Sequence, residues 1–89
     1  MDSKFPLGQI VMTTNAQATL HGEDILSALA RHAACDWGEV DDEDKHSNDQ
    51  ALQEGSRLLS AYTDRQGVKF WIITEADRSV TTILLPEDY

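Results

Sequence analysis

The sequence predicts an α+β domain: a small antiparallel sheet of three to four strands with two helices packed mainly on one face, in the order β-α-α-β-β-β. Two observations lead to this prediction. Apolar residues recur at helical spacing in the first half of the chain, whereas β-branched and aromatic residues alternate in short runs after residue 57. With 89 residues, the chain is expected to form a single domain over residues 1–89, with one modest core.

The first forty residues are predicted to contain a strand and a long helix. Residues 9–13 (Gln-Ile-Val-Met-Thr) are β-branched and apolar, which favours a strand. Thr14 and Asn15 can then cap a brief helical turn over residues 16–20. In residues 23–34 the apolar side chains fall on one stripe of a helix, so this segment is the clearest helix of the chain.

A second helix is predicted from its capping residues rather than from apolar periodicity. Asp41 or Asp42 is a favourable N-cap, and Gly55 can adopt the left-handed conformation that ends a helix after Glu54. The segment between them is mostly polar and has few apolar side chains. We therefore expect this helix to lie on the surface and to be less stable than the first.

The last third of the chain is predicted to be a three-stranded meander. Residues 58–63 and 68–74 have strand composition and flank Asp-Arg-Gln-Gly at 64–67, a hairpin turn with glycine at its end. A third run, residues 80–85, is stopped by Pro86. Consecutive runs of this kind pair as antiparallel neighbours.

Residues 36–49, which we call the acidic segment, carry the densest charge of the chain. Seven of these fourteen residues are acidic, and Lys45 is their only Lys or Arg. Such density is typical of a solvated face, or of a docking surface for a basic protein, because clustered carboxylates imitate the charge of a phosphate backbone. A divalent-metal loop is less favoured, since residues 42–47 lack the glycine of a calcium loop. The residues expected to contact a basic partner are Asp36, Glu39, Asp41, Asp42, Glu43 and Asp44.

The overall charge argues against several kinds of partner. A formal net charge of −9 and a pI near 4.4 disfavour direct binding to nucleic acid or to an anionic membrane surface. Cys35 is the only cysteine, and residues 1–8 lack the charged and apolar pattern of a signal peptide. We therefore expect a cytoplasmic protein with no disulfide, no cofactor and no membrane span.

Two alternatives to an acidic docking module remain open. One is a homodimeric structural or regulatory protein that associates through its sheet; if one sheet face is uncovered, Trp71 with Tyr62 forms an exposed apolar patch of the kind that marks partner sites. The other is a small metal-binding or enzymatic domain that uses His32, Cys35 and His46. His32 and Cys35 are three apart on one helix, but zinc normally needs four ligands. A partly buried His32 beside a small buried thiol is the simpler interpretation.

Six short stretches of the chain carry a resemblance to a known protein family. They are Leu-Gly-Gln at 7–9, Ala-Arg-His at 30–32, Asp-Trp-Gly at 36–38, Leu-Leu-Ser-Ala-Tyr at 58–62, Phe-Trp-Ile-Ile-Thr-Glu-Ala-Asp-Arg-Ser at 70–79 and Thr-Ile-Leu-Leu-Pro at 82–86. Together they resemble a family of short uncharacterised bacterial proteins carried by plasmids, phages and integrative elements. Some members are labelled plasmid-related protein or restriction modification subunit. The resemblance extends over nearly the whole chain and assigns no catalytic residues.

The resemblance implies an accessory protein of a mobile genetic element. The modification-subunit label does not fit, because a methyltransferase needs a glycine-rich cofactor loop on an α/β domain and a catalytic motif, and this chain is too short to hold them. The sequence is therefore interpreted as a non-enzymatic acidic protein-binding module. Its sharpest form is an inhibitor that binds a nucleic-acid-binding host defence protein by charge mimicry.

Overall fold

The α+β fold is confirmed by a computed structural model, which describes residues 3–89. Its elements are strand β1 (Gln9–Met12), helices α1 (Thr14–Thr19), α2 (Gly22–Ala33) and α3 (Asp42–Glu54), strands β2 (Leu58–Thr63), β3 (Lys69–Thr74) and β4 (Val80–Leu84), and a final 3-10 turn (Pro86–Asp88). The two longer helices and the four strands follow the predicted order. The first two residues, Met1 and Asp2, lie outside the described range.

The four strands form one sheet in the order β1-β4-β3-β2. Strands β2, β3 and β4 make the predicted antiparallel meander, with Ser60 opposite Ile72 and Ile72 opposite Ile83. Strand β1 joins this meander in parallel, with Gln9 opposite Val80. The sequence predicted only antiparallel pairs, so the parallel pairing of β1 is an addition to the predicted sheet. The alternation of apolar residues determines which side chains face the core, but it does not determine the direction in which a distant strand pairs.

The helix ends follow local capping chemistry. The Asp41 carboxylate accepts a hydrogen bond from the Asp44 N–H (2.8 Å) and caps α3, and Gly55 ends that helix with a φ of 76°. Helix α2 begins one residue earlier than predicted, because the His21 ring caps it by accepting the Glu23 N–H. At its other end Cys35 adopts the left-handed conformation (φ 65°).

The core lies between one face of the sheet and the helices. Ile25 and Leu29 of α2 pack with Phe70, Ile72 and Ile83, which project from the same side of β3 and β4. A second cluster at the end of this face joins α3 to the sheet and consists of Phe5, Trp37, Ala51 and Leu58. Both longer helices thus contribute their buried residues to the same side of the sheet.

The opposite sheet face carries Trp71, which is half-buried. Tyr89 packs edge-on against it with 5.8 Å between ring centroids, and the Arg57 guanidinium lies over the Tyr89 ring. Tyr62 projects into the core instead, where it packs with Phe70. The alternative in which Trp71 and Tyr62 form one exposed apolar patch is therefore excluded, because the two rings lie on opposite faces of the sheet.

Candidate functional site

The loop at the start of the acidic segment is held against the outer edge of β2 by backbone hydrogen bonds. The Glu39 N–H donates to the Ala61 carbonyl (2.7 Å), and the Ala61 N–H donates to the Trp37 carbonyl (3.2 Å). Gly38, between them, has a φ of 73°, and a Cβ at this position would collide with the Ala61 carbonyl. Glycine at 38 is therefore required for the loop to lie this close to the sheet.

Side chains on the core side hold the same loop in place. Trp37 is 4% exposed, packs against Phe5, and donates its ring N–H to Asp49 of α3 (3.2 Å). The Tyr62 hydroxyl donates to the Asp36 carbonyl (2.6 Å). The acidic segment is thus presented on an anchored loop and helix.

The six predicted contact residues are all at least partly exposed, but three of them already have hydrogen-bond partners. Asp36 accepts two hydrogen bonds from the Arg31 guanidinium (2.7 and 3.2 Å), and these bonds lower the pKa of its carboxyl. Glu39 accepts from the Thr63 hydroxyl (2.9 Å), and Asp41 caps α3. Asp36 is therefore neutralised locally and contributes less to a docking surface than the sequence predicts.

Asp42, Glu43 and Asp44 form the free part of the acidic segment. They occupy the first turn of α3, and within residues 3–89 none of them has a Lys, Arg or His nitrogen within 4.0 Å. The helix dipole favours carboxylates at this end of a helix. The helix is attached by Asn48 and Ala51, its two buried residues, so the charged turn stays in solvent.

The arginines are engaged elsewhere. Arg65 donates two side-chain hydrogen bonds to Asp24 (3.1 and 3.0 Å). Arg78 donates to backbone carbonyls, including those of Ser56 and Ala51. Because these arginines stabilise turns and loops, they leave the charge of the first turn of α3 uncompensated.

His32 lies at the centre of a buried polar chain that the sequence did not predict. It is 0% exposed, its Nδ1 lies 2.5 Å from the Ser60 hydroxyl, and its Nε2 lies 2.8 Å from the Thr74 hydroxyl. Thr74 bonds Thr81 (2.8 Å), which donates to the Leu7 carbonyl (2.7 Å). The expectation of a partly buried His32 at the edge of the apolar stripe is wrong, because three inward polar residues of the sheet form a chain that satisfies its ring.

The direction of every hydrogen bond in this chain follows from the number of protons. Thr81 uses its only hydroxyl proton on Leu7, so its oxygen must accept from Thr74. Thr74 must then accept from His32 Nε2–H, and the free Nδ1 accepts from Ser60. Burial, with a smaller contribution from the charge of Arg78, lowers the pKa of His32 to about 4. The ring is therefore a neutral structural hydrogen-bonding group.

The structure does not bring His32, Cys35 and His46 together. Both ring nitrogens of His32 are occupied, and His46 is exposed on α3. Burial raises the pKa of the half-buried Cys35 thiol, which disfavours the reactive thiolate. Across residues 3–89, no three His, Cys, Asp or Glu side chains are grouped closely enough to hold a metal ion.

A cleft of about 220 Å³ lies between α2 and the β2–β3 turn. The two guanidinium groups in its wall are already paired, Arg31 with Asp36 and Arg65 with Asp24. Its buried carboxylate, Asp64, accepts the backbone N–H groups of the turn through Oδ1, while Oδ2 has no partner within the described residues. The charged groups of the cleft therefore stabilise local structure.

Comparison of the chain with protein-family models, with curated proteins and with solved structures found no match. None of the helices within residues 3–89 is long and apolar enough to cross a membrane.

Proposed function

We propose that this chain is a non-enzymatic acidic protein-binding module whose acidic segment docks on a basic surface of a partner protein. One observation carries the proposal: Asp42, Glu43 and Asp44 are exposed on the first turn of α3 and have no cationic partner within residues 3–89. Uncompensated like charges cost self-repulsion in the folded state. A positive partner removes that cost when it binds.

The geometry favours docking by charge over docking by shape. The acidic turn is supported from within by uncharged residues, Asn48 and Ala51, and its carboxylates project into solvent. Exposed charges of this kind contribute more to the rate of encounter than to the lifetime of a complex. We expect fast association that weakens steeply as salt is added, since the screening length falls to about 8 Å at physiological ionic strength.

A basic, nucleic-acid-binding protein is the partner class that best matches this surface, because a row of carboxylates can occupy the site of a phosphate backbone. Combined with the resemblance to proteins of mobile elements, this gives the sharpest form of the proposal. The chain acts in the cytoplasm and inhibits a host defence protein by covering its nucleic-acid surface.

The residues with the largest expected effect differ from the sequence-based set in one respect. Asp36 is paired to Arg31 and is expected to matter little. Residues 41–44 are expected to carry the interaction, with Glu39 at its margin. Asp41→Asn keeps an N-cap side chain, and Asp42→Asn, Glu43→Gln and Asp44→Asn remove charge from exposed positions, so a combined neutral variant is expected to keep the fold.

The experiment compares this neutral variant with a matched control. Changing Glu23, Glu54, Glu75 and Glu87 to Gln removes the same number of charges outside the acidic segment. Each protein is used as bait in a host lysate at about 0.05 M and about 0.5 M salt, and captured proteins are identified by mass spectrometry. Basic nucleic-acid-binding proteins should be captured by the wild type and the control at low salt only.

The neutral variant should lose these proteins, and an isolated one should show association with the variant slowed by at least about tenfold. The proposal is wrong if the neutral variant captures the same proteins as the wild type at low salt. In that case the acidic segment is a solvated face.

A further inference from the structure

Strand β1 is an unprotected edge of the sheet. Its three consecutive apolar side chains are all well exposed: Ile10 by 46%, Val11 by 36% and Met12 by 39%. It has neither the lysine nor the proline that natural edge strands often carry to prevent pairing. An apolar edge of this kind is a template for another strand.

The other edge of the same sheet is closed. The Asn48 side-chain amide donates to the Leu59 carbonyl (2.7 Å) and accepts the Leu59 N–H (3.1 Å), as a neighbouring strand would. The backbone of Trp37 and Glu39 does the same for Ala61. The outward backbone groups of Leu59 and Ala61 in β2 are therefore hydrogen-bonded within the chain, and β1 is the edge that can accept a partner strand.

Charge indicates what that partner is. The sixteen residues from Phe5 to Leu20 contain no Asp, Glu, Lys or Arg, although 26% of the whole chain is charged. Two copies that each carry a net charge of −9 repel one another across most of their surfaces. The β1 edge is where they can approach with the least repulsion, and β1 itself has no charged side chain to attract a basic partner.

We propose that two copies of this chain pair through β1, antiparallel about a two-fold axis, to form a continuous eight-stranded sheet. The Gln9 N–H donates to Ser79 and the Thr13 N–H donates to Ile83, both in the direction of β4. Because hydrogen-bonding directions alternate along a strand, the backbone N–H and C=O groups of Ile10 and Met12 point away from β4, towards the open edge.

Among the registers that this alternation permits, the one centred on Val11 pairs both outward-facing residues of β1 on each chain. Ile10 pairs with Met12 of the partner subunit and Met12 with Ile10 of the partner subunit, and each pair exchanges both of its backbone hydrogen bonds. Val11 then lies on the two-fold axis, opposite Val11 of the partner subunit, as a closely spaced pair without hydrogen bonds. The interface is isologous and closes after two copies.

The charged groups of the fold are compatible with this arrangement. The acidic segment lies beside β2, three strands away from β1 in the sheet order, which places the two acidic segments at opposite ends of the dimer. Asp88 is a carboxylate close to the end of β1, and its two oxygens accept from Thr13 (2.6 Å) and Asn15 (2.7 Å). This inference does not depend on the proposed docking function, and a dimer would display two acidic surfaces.

Sedimentation equilibrium from about 1 μM to about 1 mM protein tests the association. Wild type should show a monomer–dimer equilibrium. Val11→Lys places two like charges face to face on the axis and should weaken the dimer by at least about tenfold. Leu26→Lys introduces the same side chain at a residue that is 64% exposed on α2, and it should leave the equilibrium unchanged. Circular dichroism confirms that both variants fold.

Cysteine cross-linking tests the register. In a Cys35→Ser background, Val11→Cys should form a disulfide-linked dimer under mild oxidation, because the Cα atoms of such a pair lie about 4.5 Å apart. Gln9→Cys is the control. In this register the two substituted residues of the control are four positions out of alignment, and cross-linking should be slower by at least about tenfold. A monomer at every concentration, a dimer that Val11→Lys does not weaken, or equal cross-linking at both positions would each overturn the proposal.

Discussion

Lowering the pH from 6.5 towards 4 is expected to destabilise the fold through His32. Burial, reinforced by the charge of Arg78, lowers the pKa of this ring to about 4 from 6.5. Between these values the unfolded chain binds a proton at this ring and the native protein does not, so the free energy of unfolding decreases as the pH falls. The difference of about 2.5 between the two pKa values corresponds to about 3 kcal/mol. Domains of this size have only about 5–15 kcal/mol in total.

The carboxylates act at lower pH, which keeps the two effects apart. Hydrogen bonds from Arg65 lower the pKa of Asp24 to about 2, and hydrogen bonds from Arg31 lower that of Asp36. The stabilisation from these groups is complete above the ordinary Asp value of 3.8 and is lost only as the pH falls below it. The interval from 6.5 to 4 is therefore expected to report mainly on His32.

Urea unfolding at successive pH values measures this effect. The free energy of unfolding should change by up to about 1.4 kcal/mol per pH unit within the interval. His32→Leu removes the titrating ring, so this dependence should disappear, although the variant also starts from lower stability because Ser60 and Thr74 lose their partner.

A ring titration by NMR keeps the test decisive if His32→Leu does not fold. The native His32 ring should stay neutral, with its proton on Nε2, until the pH approaches about 4. The reasoning is refuted if His32 takes up a proton above about pH 6 in the folded protein, or if stability does not vary between the two pKa values.

Three further predictions concern the core, the α3 attachment and the charge. Leu29→Ala should lower the free energy of unfolding by about 2–4 kcal/mol, because Leu29 is 4% exposed in the core; a loss below about 1 kcal/mol in urea titrations would contradict its central position. Asn48→Ala should cost about 1–3 kcal/mol by leaving both Leu59 backbone groups unpaired, whereas the same measurement on the exposed Ser47→Ala should give under about 0.5 kcal/mol. A gel shift with duplex DNA at physiological salt should show no complex, and binding at about 1 μM would contradict the charge argument.

Local chemistry made much of the fold predictable. Helix α3 begins after Asp41, whose side chain caps it, and ends at Gly55, which adopts the left-handed conformation. The alternation in residues 58–63 and 80–85 located two strands to within one residue. The parallel pairing of β1 with β4 has no local signal, because it depends on how the two ends of the chain meet.

The candidate site was predictable only in its exposure and charge. The density of carboxylates in residues 36–49 indicated a solvated surface, but the pairing of Asp36 with Arg31 depends on the loop geometry after α2. The partners of His32 lie 28 and 42 positions away in the sequence. The alternation of side chains along β2 and β3 places Ser60 and Thr74 on the inward face of the sheet. That pattern identifies polar side chains in the core, but it does not identify the group that forms hydrogen bonds with them.

The pairing of β1 with β4 also has a consequence for the order of folding. Gln9 meets Val80, 71 positions later in the chain, so β1 has no strand to pair with until residue 80 and the residues after it have been synthesised. The meander of β2, β3 and β4 has short connections and low loop-closure entropy, and it can form first. We expect β1 to dock last and to separate first, so that amide hydrogens of Val11 exchange with solvent sooner than those of Ile72. Until β4 is in place, β1 is an unpaired apolar segment that other chains can reach, so we expect the rate at which residues 13–84 are synthesised to affect the risk of aggregation.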